Sequence, residues 1–263
     1  MYQDAKKKTE PFVSGRLAPD PRLAGLVRYW SINSKGKVLF QVKRFPGEQL
    51  ELMFNFERTC GKPVPYLVGA QLKSDILAKK KPVDIIGVAF LPGAFYSLFH
   101  VSGNLFCGKR LLLKSAIGPK AECFNEVFTK KTLKARVKCL DSIFLNLAKT
   151  KEPVPPMIVR ALKDIYTSRG KSRVSSLAQT SGLTRFIFNS VFKKWIGVCP
   201  RLLCKHIRFR LAMKELNIGK NTADVSAQFG YVDQAHFIRQ FKRRVGKTPA
   251  AYFKRQSQYV KFL

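Results

Sequence analysis

One short stretch near the C-terminus concentrates side chains that bond to phosphates and base edges: Gln234-Ala235-His236, Arg239 and Lys242-Arg243-Arg244. Phe237 and Phe241 are an i, i+4 aromatic pair that must face a core. At about 100° per residue, Ala235, Arg239 and Lys242 then occupy the opposite face, with Gln234 beside them. A guanidinium fork suits guanine O6 and N7 and a carboxamide suits adenine, so Arg239 and Gln234 are candidate base readers. Lys242, Arg243 and Arg244 suit phosphates. His236 lies about 100° from the core phenylalanine, which leaves a phosphate or base contact and a capping or packing role both open. A second stretch has the same layout around Phe188 and Phe192 and presents Arg185, Phe186, Asn189, Ser190, Lys193 and Lys194. Either stretch, taken alone, could be no more than a solvated basic face.

Catalytic and metal chemistry find no comparable support. Gly103-Asn104-Leu105-Phe106-Cys107-Gly108-Lys109-Arg110 fits G-x-x-x-x-G-K, but Arg110 stands where a Mg²⁺-binding Ser or Thr is required. Cys199, Cys204 and His206 fall on or beside a helical stretch that reads as structural, so no metal site is expected. Cys204 and His206 also fail as a nucleophilic pair, because residues two apart on a helix point to different faces. There is no G-x-S-x-G elbow and no paired carboxylates stand out, so neither catalytic residues nor cofactors are expected.

The composition agrees with a polyanion partner. The chain has 263 residues, 49 Lys plus Arg against 16 Asp plus Glu, and a formal net charge of +33. Its 46% apolar content is enough for packed cores in one or two domains. Such a charge favours nucleic acid, acidic membrane surfaces or polyanionic substrates over an ordinary metabolic enzyme. The basic start, Met1 to Pro11, has no apolar region after it, and the longest apolar stretch, around Ile85 to Phe99, is broken by Pro92 and Gly93. No membrane span is expected, since that takes roughly 18 apolar residues. The six cysteines form no C-x-x-C pair, which suits free thiols in a reducing cytoplasm.

Stepping along the chain, short strands are expected at Lys37 to Val42, Glu51 to Phe56 and Val83 to Phe90, β-branched or aromatic runs bounded by Pro, Gly and Lys. From Pro119 to Lys149 the apolar spacing becomes helical, and Lys151 to Pro156 reads as a Pro-rich linker that stops a helix. Everything beyond is helical in character. The expected division is a β-rich sensor or interaction domain over 1–118, a helical segment and linker over 119–155, and a helical domain over 156–263. Net charge is +15 over residues 1–152 (27 basic, 12 acidic) and +18 over residues 153–263 (22 basic, 4 acidic), so the shorter part is denser in charge.

The helical part repeats itself. Gly182 matches Gly230 at an offset of 48; after a one-residue insertion at Val232, an offset of 49 pairs Thr184 with Asp233, Phe188 with Phe237, Phe192 with Phe241, Gly197 with Gly246 and Pro200 with Pro249. In each copy a short helix ends at a glycine fit for a tight left-handed turn, and a Thr or Asp caps a second helix. These are two helix-turn-helix units, at about 174–196 and 222–245, joined by one helix from Pro200 to Asn217. At about 1.5 Å per residue that helix spans roughly 25 Å, which can hold two recognition helices near one turn of DNA apart, roughly 34 Å.

Residues from about Pro156 to Lys254 resemble the DNA-binding domain of AraC/XylS-type transcriptional regulators. The segment Gly230 to Lys242 with Gly246-Lys247-Thr248-Pro249 is similar to that family's signature almost throughout. Pro46 to Asn55 and Leu91 to Phe95 resemble, more weakly, the sensor half of some members. The resemblance implies an N-terminal α+β domain, β-rich and of a cupin-like kind, and a C-terminal all-α domain. It also implies double-stranded DNA as partner, with RNA polymerase, a small-molecule effector and a second copy of the chain as further candidates. The first unit departs from the family, which usually presents arginines where this chain has Phe186 and Ser190. Two readings follow: Phe186 packs on a thymine methyl, or the first unit only positions the protein through Lys193 and Lys194 while the second specifies. A low-specificity architectural DNA-binding protein is the alternative to a sequence-specific regulator.

Two features of the N-terminal part stay open. Its aromatic residues, Phe40, Phe45, Phe54, Phe56, Tyr66, Phe90, Phe95, Tyr96 and Phe99, could line an effector pocket or fill a plain β-core. The helices at 119–149 could form a dimer or interdomain surface or pack against the sensor.

Overall fold

A computed structural model describes residues 13–34, 41–44, 47, 49–57, 63–71, 75–79, 83–254 and 259–261. The N-terminal part is built on a six-stranded antiparallel sheet in the order β1 (Val13–Leu17), β2 (Val27–Ser34), β7 (Val83–Phe90), β4 (Glu51–Asn55), β5 (Tyr66–Val68), β8 (Arg110–Leu112). β7 lies at its centre, paired to β2 and β4, and its apolar run is buried on both faces. Side chains alternate across a strand. Ile86, Val88 and Phe90 therefore enter the main core with Tyr29, Leu52 and Phe54, while Val83 and Ile85 join Ile32, Met53 and Val68 on the other side.

Helices cover the first face. α1 (Ala94–Phe99) follows β7 directly, and α2 (Leu113–Ile117) leads into a 3₁₀ segment, Gly118–Thr129. The helical reading of this stretch is corrected in kind: Ala121, Phe124 and Val127 are buried at intervals of three, the stripe a 3₁₀ turn makes. α3 (Leu133–Ala148) starts at Thr132, whose hydroxyl accepts from the Ala135 amide at 3.2 Å. It is tied to the sheet by Tyr29, whose hydroxyl donates to Asp141 at 3.0 Å, and by Arg136, which bonds Asp84 at 2.9 Å and covers the Phe56 ring at 3.4 Å. Phe54, Phe90, Phe95, Phe99, Phe124 and Phe144 interlock in one core, so these aromatics fill a plain β-core. Phe40 and Phe45 lie outside the described residues, as do residues 37–40 of the first expected strand, Met1 to Pro11, Pro46, Glu48 and Cys60.

A smaller sheet, β6-β3-β9, holds β3 (Gln41–Arg44) antiparallel to β6 (Asp75–Lys79) and parallel to β9 (Tyr259–Lys261). β9 corrects the reading of everything after the linker as helical, and it brings the end of the chain back beside the N-terminal strands.

Residues 151–155 are extended, as the prolines require, but they are pinned to α1. The Glu152 amide donates to Ser97 O at 2.9 Å, the Ser97 hydroxyl donates back to Glu152 O, and the Glu152 carboxylate stands 3.3 Å from His100 Nδ1. Among the described residues seven helices follow: α4 (Pro156–Thr167), α5 (Val174–Gln179), α6 (Arg185–Ile196), α7 (Pro200–Asn217), α8 (Thr222–Gln228), α9 (Gln234–Val245) and α10 (Pro249–Phe253). α7 spans the range expected of the joining helix. It contributes Leu203, Cys204 and Ile207 to a core with α4, α5 and α6, and Phe209, Ala212, Met213 and Leu216 to a second core with α8, α9 and α10.

Candidate nucleic-acid interface

Each half of the repeat folds as a helix pair with the same punctuation. After α5 the chain turns at Gly182 (φ +65°), and the Thr184 hydroxyl accepts from the Ile187 amide at 3.3 Å to start α6. After α8 it turns at Gly230 (φ +67°), and the Asp233 carboxylate accepts from the His236 amide to start α9. Such side-chain acceptors satisfy amides that a helix start leaves unpaired. Both second helices close at a left-handed glycine, Gly197 (φ +88°) and Gly246 (φ +84°). The paired phenylalanines are fully buried, Phe188 against Phe192 at 5.7 Å and Phe237 against Phe241 at 6.0 Å, which fixes the face each helix turns outward.

On α9 that outward face carries Gln234, Ala235, Arg239, Lys242 and Arg243, all exposed. His236 is half-buried: its ring lies 5.9 Å from the Tyr231 ring and its Nε2 stands 3.5 Å from Gln240 Nε2. Arg244 faces inward, contrary to its expected place on phosphates. Its guanidinium covers the Phe209 ring at 4.9 Å and donates to Lys205 O at 3.3 Å, because three residues beyond Phe241 is again the core side.

α6 presents a different surface. Arg185, Phe186 and Ser190 are exposed, Phe186 to 84%, and Ile187 beside it is 46% exposed, an apolar neighbour the sequence reading did not single out. Asn189 is half-buried and its amide donates back to Arg185 O at 2.8 Å, which occupies the group that would read a base. Lys193 and Lys194 are exposed at the end of α6 that meets the N-terminal domain. The Lys194 ammonium lies 5.0 Å over the Tyr96 ring, and Lys194 O accepts from the Ser102 hydroxyl at 3.0 Å. The Tyr96 hydroxyl holds the Lys194 ammonium above the ordinary lysine range, while burial raises the Cys107 thiol against the smaller opposing charge of Lys193.

The contact between the two parts is close. Tyr96 of α1 packs on Trp195 of α6 with ring centroids 4.6 Å apart, and a side chain at Gly197 would sit 3.3 Å from the Gly103 backbone and from Leu50. The seam between Leu50, Phe90, Gly93, Phe95, Trp195 and Ile196 leaves a cavity of about 10 Å³, room for about one water. These pairings join residues about a hundred positions apart, and no local pattern in the sequence announces them.

Among the described residues no group of three or more His, Cys, Asp or Glu could hold a metal ion, and no helix is long and apolar enough to cross a membrane. Cys204 and His206 are both buried on α7, where burial raises the thiol.

A helix-turn-helix domain model matches residues 177–255, and a model of a domain of unknown function (DUF6597) matches residues 15–111. No curated protein sequence matches the chain. Among solved structures, the chain is similar to the C-terminal domain of AraT, a response regulator from Geobacillus stearothermophilus. The identity is 21% over 42% of this chain and 92% of that one, with a TM-score of 0.36. It is also similar to ToxT from Vibrio cholerae. The apo form from strain SCE256 is 12% identical over 87% of this chain and 97% of that one, at a TM-score of 0.43. A second crystal form is 12% identical over 93% and 98%, at 0.41. The helix-turn-helix match falls on the repeated helix pairs, so residues 177–255 form a helix-turn-helix domain, joined to a β-rich N-terminal part.

Proposed function

We propose that the protein is a sequence-specific transcription regulator of double-stranded DNA that enters two successive major grooves, with base choice vested mainly in α9. The observation that carries this is the pair of capped helices with outward faces, held by one 18-residue helix. At about 1.5 Å per residue α7 spans roughly 27 Å, compatible with recognition helices one DNA turn apart. Arg239 supplies a guanine fork, Gln234 an adenine-matching amide, and Lys242 and Arg243 phosphate contacts. On α6, with Asn189 and Lys194 engaged inside the protein, Arg185 meets phosphate and Phe186 offers apolar contact to a thymine methyl. The N-terminal domain grips α6 through Tyr96 and Ser102, so an effector or partner acting on that domain would act on the first recognition helix.

Arg239→Ala is expected to lose about 1–3 kcal/mol of discrimination between a selected site and random duplex. Lys242→Ala is expected to weaken both about equally and to reduce the salt slope by about one. Binding of both variants to a site selected from a random pool, measured across salt concentrations, checks this; equal loss of discrimination in the two would overturn the assignment. The apolar tip of α6 favours one rival, a low-specificity architectural protein, which a wild-type preference near one at every salt would establish.

A further inference from the structure

Between α7 and the turns that lead into the two helix pairs lies a cleft of about 360 Å³, lined by Gly170, Lys171, Arg201, Lys205, Arg208 and Gly230 among others. Its charges come from separate segments. Arg201, Lys205 and Arg208 recur at i, i+4 and i+7 along one face of α7, and Lys171 faces them from the loop before α5.

The walls are held firmly. Gly170 (φ +77°) is pressed on α7 so closely that a side chain there would lie 2.5 Å from Cys204 O. The Ser172 hydroxyl donates to Asp164 O at 3.1 Å, and its amide donates to the Ser168 hydroxyl at 3.2 Å. On the other side the Arg208 guanidinium donates to Gly230 O at 3.3 Å and stacks toward Tyr231, with 6.0 Å to the ring centroid. Arg208 Nε is buried with no hydrogen-bond partner among the described residues.

Among the described residues no carboxylate lines the cleft. Of the four acidic residues in 153–263, Glu215 pairs with Lys220, Asp224 with Asn221, and Asp233 caps α9, while Asp164 meets the cleft wall only through its backbone carbonyl. Four cations gathered on a fixed wall repel one another until an anion joins them. The Lys205 ammonium registers this, lying below the ordinary lysine range through burial and then the charges of Arg201, Arg244 and Arg208. Guanidinium forks match phosphate oxygens in pairs, and a lysine adds a point charge, which is the donor set of a phosphate site.

We propose that this cleft is a phosphate-binding site distinct from the two recognition faces, with Arg201, Lys205 and Lys171 as ligands and Arg208 as the fixed donor at the rear. The phosphate is either a backbone diester of the DNA between the two grooves, which rests on the DNA-binding reading, or the phosphate of a free phosphorylated small molecule, which does not.

The test uses the full chain, the R201Q/K205Q double variant and Lys171→Glu, all changes at exposed side chains. Duplex binding is measured against salt, and pyrophosphate is titrated by calorimetry. If the DNA backbone is the source, the slope of log K against log salt falls by about two in the double variant, since each phosphate contact contributes about 0.9, and Arg239-dependent base preference is retained. If a free phosphate is the source, wild type binds pyrophosphate, both variants bind it at least about tenfold more weakly, and the DNA slope is unchanged. Both responses together support a site open to either. An unchanged slope with no pyrophosphate binding, or with equal binding by variants and wild type, overturns the proposal. A wild type that binds pyrophosphate and no duplex would sink the DNA-binding reading and leave the cleft standing.

Discussion

Phe241→Ala is expected to destabilise the second helix pair by about 3–5 kcal/mol, the cost of truncating a fully packed phenylalanine. Phe241 is fully buried, and its ring meets Phe209 of α7 at 5.7 Å, Phe237 at 6.0 Å, Tyr252 of α10 at 5.9 Å and Phe253 at 6.4 Å. Among the described residues it is therefore the one side chain of α9 in ring contact with both α7 and α10. Losing it leaves a cavity that a helix carrying only Phe237, Phe241 and Val245 as buried residues cannot refill. Hydrogen exchange of α9 amides reads the effect locally, without requiring the whole chain to unfold in two states. Protection there should fall by about two to three and a half orders of magnitude, at about 1.4 kcal/mol per tenfold, while α5 and α6 amides change little, since they belong to a separate core. Phe186→Ala is the control: at 84% exposure it should leave stability within about 0.5 kcal/mol and act on DNA alone. Loss of protection spread evenly over both helix pairs would show that the two cores open as one unit.

The second unit was legible in the sequence because its determinants are local. Glycine at a left-handed turn, an acidic cap and an i, i+4 phenylalanine pair all act within about a dozen residues, and their recurrence 48 or 49 positions apart exposed the pair. The sheet was less legible. β5 and β8 have three residues each and exist because they pair with β4 and with each other, so their information lies across the chain. β2 has no simple alternation: Tyr29, Ser31 and Ile32 are buried and Trp30 is half-buried, because both faces of the sheet are covered. Trp30 lies over Gly87, where any side chain would collide with its indole. The outward face of α9 could be read from helical phase, but the fate of Lys194 and Asn189 could not. Phase places Lys194 outward and Asn189, about 100° from Phe188, at the edge of that face, and only the docked N-terminal domain and the local bond to Arg185 O show that they are already engaged.

Acid should unfold the helix-turn-helix domain through His206. This residue is 2% exposed in the middle of α7, and its imidazole is pulled down to about 3, first by burial and then by the positive charges of Arg244 on α9 and Arg210 on α7. The unfolded chain protonates it near 6.5. Below that pH the unfolded state binds more protons than the folded one, so the stability present above pH 6.5 is lost as pH falls toward 3, by about 1.4 kcal/mol per unit. Denaturant titrations of wild type and His206→Leu at pH 7 and pH 4.5 isolate this group from the carboxylates that titrate in both. The difference between the two proteins should move by about 2–3 kcal/mol in favour of the variant as pH drops; parallel losses would mean that His206 accepts its proton in the folded state. Leu203 and Ile207 beside it pack on α5 and α6, while Phe209 packs on α9. Protonation at this position therefore strains the one helix that sets the spacing of the two recognition helices, and duplex binding to a two-groove site should fail at a higher pH than binding through α9 alone.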